Sequence, residues 1–107
     1  MRAKILNASA GSGKTYQLAY KYVRDVVEQP SIYRHILAVT FTNKATEEMK
    51  SRILKEIHLL ASGGESSYLE NLCRELDMDA ATVRRRAAEV RSKILHDYSR
   101  FTVLTID

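Results

Sequence analysis

At 107 residues, 45% hydrophobic and 28% charged with a single proline, the chain has the size and composition of one folded domain, which excludes a disordered or fibrous protein. Seventeen Lys and Arg against thirteen Asp and Glu leave a net charge of +4, a lean towards a polyanionic partner such as nucleic acid. The lone Cys73 excludes an internal disulfide or multi-cysteine zinc site and suits a reducing compartment. No run approaches the roughly 18 apolar residues of a membrane span, and the start MRAKILNAS has too short an apolar run for a signal peptide, so no membrane is implicated and a cytoplasmic location is expected.

In chain order, Lys4 to Ala8 reads as a short strand. A helix follows the glycines, with Leu18, Ala19, Tyr22, Val23, Val26 and Val27 at helical spacing, and Pro30 stops it. His35 to Phe41, HILAVTF, is a nearly continuous apolar run, as in a strand covered on both faces of a parallel sheet. Thr42 and Asn43 offer caps to a long helix, Glu47 and Glu48 put negative charge in its first turn, and Ala45, Met49, Ile53, Ile57 and Leu60 make its apolar stripe. Ser62-Gly63-Gly64 ends it. Ser67 with Glu70 predicts a capping box opening a shorter helix that carries Leu69, Leu72, Cys73 and Leu76. Asp77 or Asp79 starts another helix, with Val83, Ala87, Val90, Ile94 and Tyr98 inward, and Phe101 to Ile106 reads as a third strand.

The eight residues ASAGSGKT, Ala8 to Thr15, stand between the first strand and the first helix. A strand that enters a glycine-bearing loop and leaves by a helix gathers free backbone N–H groups at the positive end of the helix dipole, where an anion fits. Gly11 and Gly13 permit close approach, Lys14 reaches the β and γ phosphates as the catalytic cation, and the Thr15 hydroxyl is suited to ligate Mg2+. The expected nucleotide-binding set is Ala10, Gly11, Ser12, Gly13, Lys14, Thr15 and Tyr16. Ala8 departs from G-x-x-x-x-G-K-[ST] at its first glycine, and the bland reading is a serine- and glycine-rich turn that binds nothing. The order β-α-β-α-α-α-β predicts an α/β fold, a P-loop NTPase-type three-layer sandwich with helices packed on a parallel sheet. The single domain would span 1–107, with a helical insertion over about 62–97.

Residues 36–53, ILAVTFTNKATEEMKSRI, together with ASAGSGKT and the terminal TVLTID, resemble the ATPase domain of UvrD/Rep-like superfamily 1 DNA helicases, in particular the RecB/AddA type of helicase-nuclease. The resemblance covers both ends of the chain and leaves the helical segment from Ser62 to Asp97 unmatched. It implies ATP and Mg2+ as cofactors, and it implies that Thr40, Phe41, Thr42, Asn43 and Lys44 contact single-stranded DNA. Phe41 would stack on a base, while Thr42, Asn43, the helix amides and Lys44 would meet backbone phosphate. A capping role for Thr42 and Asn43, and a core role for Phe41, are the bland alternatives. The resemblance further implies an amino-terminal fragment of a larger helicase, whose remaining parts are its partner and in which ATP hydrolysis drives translocation on DNA.

No glutamine motif fits ahead of the first strand, and no acidic pair or arginine finger follows Tyr98, so the isolated chain is expected to show no appreciable ATPase. Pairing of two copies through an uncovered sheet edge is a further expectation. The rival reading is a small P-loop nucleoside or metabolite kinase, with Arg84, Arg85, Arg86 and Arg91 forming a lid. A non-catalytic nucleotide-binding module is the third. His35, His58 and His96 have no metal-ligand spacing.

Overall fold

The computed structural model describes residues 4–7, 12–40, 42–98 and 101–105. Strand β1 (Lys4–Asn7) is followed by helix α1 (Ser12–Glu28), which buries Leu18, Ala19, Tyr22, Val23, Val26 and Val27 along one stripe. Pro30, with no N–H to continue the ladder, opens a 3-10 turn over Pro30–His35 that leads into β2 (Ile36–Thr40). Helix α2 (Asn43–Ser62) begins where the Thr42 hydroxyl oxygen accepts from the Ala45 N–H at 3.0 Å. It ends at Gly63, whose φ of 85° is a left-handed conformation that favours glycine. Because α2 opens at Asn43, Glu47 and Glu48 fall in its second turn, beyond the first-turn placement expected of them. Helices α3 (Leu69–Leu76) and α4 (Ala80–His96) follow, and β3 (Thr102–Thr105) closes the order. Among the described residues, no helix is long and apolar enough to cross a membrane.

This architecture overturns the three-layer α/β sandwich expected from the sequence. Helix dominates, with helices of 17, 20, 8 and 17 residues against strands of 4, 5 and 4. The helices bury their stripes chiefly on one another: α1, α2 and α4 share a single core, to which Tyr33, Ile36, Phe101 and Val103 add. The strands form only a short parallel patch in the order β1-β2-β3, with Asn7 level with Val39 and Thr40 with Thr105. That order supplies the physical reason. Both crossovers step across the patch in the same direction, and right-handed crossovers that step the same way put their helices on the same face. A layer on the opposite face would need the strand order to reverse.

Three local expectations also change. Segment 62–97 supplies α4, whose Val83, Ala87, Val90 and Ile94 lie in the shared core. Tyr98, expected on the buried side of α4, lies past its end and is 51% exposed. The Ser67–Glu70 capping box does not form, because Tyr68 occupies the N-cap of α3 and accepts no side-chain capping bond. Asp79 does cap α4, accepting from the Thr82 N–H at 2.8 Å, and hydrogen bonding from the Thr82 side chain and N–H holds its carboxyl below the usual carboxylate range.

Tyr22 is wholly buried edge-on to Phe101, with ring centroids 5.5 Å apart, and its hydroxyl has no hydrogen-bond partner among the described residues. A buried hydroxyl without a partner costs stability, so Tyr22→Phe should raise the unfolding free energy by about 1 kcal/mol in urea titration. A loss of that size would show that the hydroxyl is bonded after all. Burial also pushes the Tyr20, Tyr22 and Tyr68 phenols far above their ordinary 10.0, with the Glu75 hydrogen bond adding at Tyr20. A folded pKa raised above the unfolded one makes a contribution that is full below pH 10 and lost as pH climbs beyond it. In alkaline titration, phenolate absorbance from these three should therefore emerge together with loss of helix rather than before it.

Candidate functional site

The phosphate side is built by the passage from β1 to α1. β1 ends at Asn7 and α1 opens at Ser12; Ala10 and Gly11, expected in the loop, lie outside the described residues. Ser12, Gly13, Lys14 and Thr15 form the first turn of α1, where backbone N–H groups have no partner within the helix. That turn holds no acidic residue to oppose an anion.

Tyr16, directly after Thr15, is 39% exposed and engaged by other helices. Its hydroxyl donates to Ser67 Oγ at 3.1 Å, the Arg52 guanidinium lies 5.1 Å from its ring centroid, and its carbonyl accepts from the Tyr68 hydroxyl at 2.9 Å. A groove of about 270 Å³ between α1 and α3 runs beside it, lined in part by Lys21 and Arg24.

The second side is the passage from β2 to α2. Thr40, at the end of β2, is only 1% exposed, and its hydroxyl lies 2.6 Å from Thr46 Oγ1 and 3.2 Å from the Thr42 carbonyl. Thr46 donates to that same carbonyl through both its hydroxyl (3.1 Å) and its N–H (3.0 Å). Thr40 thus shapes the turn from beneath, whereas Thr42, Asn43 and Lys44 stand exposed at the start of α2. Phe41 lies outside the described residues. β1 and β2 are parallel neighbours in register, so α1 and α2 both leave from the same end of the strands.

Four contributors escaped sequence reasoning: Thr46, Arg52, Glu56 and Tyr68. Only Thr46 left a trace, as the third threonine of the T-x-T-x-x-x-T run from Thr40. Three of the four arginines assigned to a kinase lid are occupied elsewhere. Arg84 donates to the Leu59 and Leu60 carbonyls (3.3 and 3.1 Å) at the end of α2, Arg86 donates to the Glu28 carbonyl (2.6 Å) at the end of α1, and Arg91 lies 3.3 Å from His58 Nδ1. Among the described residues, no group of three or more His, Cys, Asp or Glu could hold a metal ion.

Residues 2–105 match the family described as the UvrD/REP helicase N-terminal domain. The RecBCD enzyme subunit RecB of Borreliella burgdorferi is 31% identical over 103 residues, which covers 94% of this chain and 8% of that protein. The RecBCD enzyme subunit RecB of Haemophilus influenzae is 31% identical over 105 residues, covering 79% and 9% respectively. The ATP-dependent DNA helicase PcrA of Bacillus subtilis is 47% identical over 49 residues, covering 46% and 7%. The chain spans less than a tenth of the length of these relatives. No solved structure matches it.

Proposed function

The chain belongs to the UvrD/REP helicase family through its N-terminal domain, and from that premise we propose that it is the ATP- and single-stranded-DNA-binding part of an ATP-dependent DNA helicase or helicase-nuclease. One observation carries the reading: two helices start at the same end of a parallel strand pair, one with Gly13-Lys14-Thr15 in its first turn and the other with exposed Thr42, Asn43 and Lys44. Two positive helix ends side by side suit two anions, a triphosphate and a polynucleotide backbone.

On the first side, the amides from Ala10 to Tyr16 cradle the phosphates, Lys14 neutralises the β and γ oxygens, and the Thr15 hydroxyl holds Mg2+. The acid-free first turn of α1 fits such a group. When bound, Mg2+ spreads the negative charge of the phosphate oxygens. On the second side, the amides of Thr42 and Asn43 with Lys44 bind backbone phosphate, Phe41 stacks on a base, and Thr40 holds the turn from below. The coupling of hydrolysis to movement along DNA belongs to the whole protein.

Equilibrium binding of a fluorescent oligothymidine, with and without Mg-ATP, tests the proposal. Affinity for the strand should fall with salt, and Lys44→Ala should reduce the logarithmic salt slope by about 1, the share of one phosphate contact, while Mg-ATP binding persists. Indifference to both ligands, or phosphoryl transfer to a nucleoside, would overturn it.

A further inference from the structure

We infer that Tyr68 couples the nucleotide end of α1 to the DNA-facing end of α2, as a positioning residue that belongs to neither site; the inference rests on the function proposed above. Tyr68 is fully buried at the start of α3, and its hydroxyl donates to the carbonyl of Tyr16, the residue next to Thr15. Its ring meets those of Tyr16 and Tyr20 edge-to-face, both at 5.1 Å. The grip continues along the same face of α1, where Tyr20 donates to Glu75 and Arg24 lies 3.7 Å from the same carboxylate.

The turn that carries Tyr68 is fastened to α2 at its other side. Ser66 donates to the buried Glu56 carboxylate at 2.7 Å, Ser67 lies 3.5 Å from the same oxygen, and Ser66 Oγ accepts the Tyr68 N–H at 3.1 Å. Arg52, one turn before Glu56 on α2, covers the Tyr16 ring. The second and third turns of α1, at Tyr16 and Tyr20, and the middle of α2 are therefore held to one short turn, residues 66–68.

The Tyr16 carbonyl lies within α1, where its other lone pair serves the helical ladder. The Tyr68 bond is thus an addition that the helix does not need for its own integrity. What it does fix is the axial position of α1 relative to a turn anchored on α2. A shift of α1 as phosphate seats at its first turn passes through Tyr68 and Glu56 into α2, whose leading residues Asn43 and Lys44 are exposed for DNA.

The test is reciprocal linkage between a non-hydrolysable Mg-ATP analogue and a fluorescent oligothymidine, measured on the wild-type chain and on Tyr68→Phe. In wild type, the nucleotide should change the strand Kd by roughly fivefold or more, and the strand should change the nucleotide Kd by the same factor. Tyr68→Phe should bring both factors to within about twofold of unity while each ligand alone still binds. Asp79→Ala, which loosens the α4 cap without touching the turn, should lower the melting temperature and leave the factor as in wild type.

A wild-type factor that survives in Tyr68→Phe, or one that falls equally in Asp79→Ala, overturns the coupling role. Wild type that binds both ligands independently overturns it too, with the proposed function intact. Wild type that binds neither removes the proposed function and this inference with it.

Discussion

Alanine in place of Lys14 is expected to weaken Mg-ATP binding about a hundred-fold, the loss that follows when hydrogen bonds to charged phosphate oxygens, worth roughly 1.5 to 3 kcal/mol, go unmade. The fold should survive the change. Among the described residues, the buried stripe of α1 runs from Leu18 to Val27, and alanine is a better helix former than lysine. Calorimetric titration beside a thermal melt separates the two effects. Affinity within twofold of wild type would remove this lysine from the phosphate site.

Glu56→Ala is expected to cost about 3 kcal/mol of stability, and Glu56→Gln no more than about 1 kcal/mol. Glu56 is 3% exposed on α2, and its carboxylate accepts from the Ser66 hydroxyl. Alanine leaves that donor without its acceptor, opens a void and frees the turn that starts α3. Glutamine keeps an acceptor oxygen in place and gives up only the charge. Urea titration measures the difference, and faster hydrogen exchange confined to residues 66–76 in Glu56→Ala would locate it. Equal losses in both variants would assign the effect to charge rather than to the anchored turn.

The helices were largely legible in the sequence. Apolar residues at Leu18, Tyr22 and Val26, and at Met49, Ile53, Ile57 and Leu60, recur at a period that only one local structure satisfies, and Asp79 advertised its cap through short-range chemistry. The layering was not legible. Which strand neighbours which is decided across long separations, and a run such as Ile36–Thr40 carries no mark of the face on which its helices will lie. Ser67 and Glu70 form a proper capping pattern, yet Tyr16 and Glu56 claim the Ser67 hydroxyl from 51 and 11 residues away. Thr40 was assigned to the DNA contact through the family resemblance, although its hydroxyl turns in towards Thr46.

At the candidate site, the GKT turn and the Thr42–Lys44 segment could be found by pattern, since each is contiguous in the chain. Tyr68 and Arg52 could not, because their meaning comes only from what α1 brings beside them.

Arg84 and Arg86 close the carbonyl ends of two helices that precede them, reaching 25 residues back to Leu59 and 58 back to Glu28. The Gly63 and Gly64 N–H groups already cap Leu59, but the Leu60 and Glu28 carbonyls gain these donors only when α4 has docked. Partial structures that stop short of α4 therefore lack these bonds and the Val83, Ala87, Val90 and Ile94 side of the core, and little separates them in free energy from the open chain. Denaturation should follow one sigmoid shared by all spectroscopic probes, and a nascent chain should gain protease resistance only once residue 86 has joined the rest.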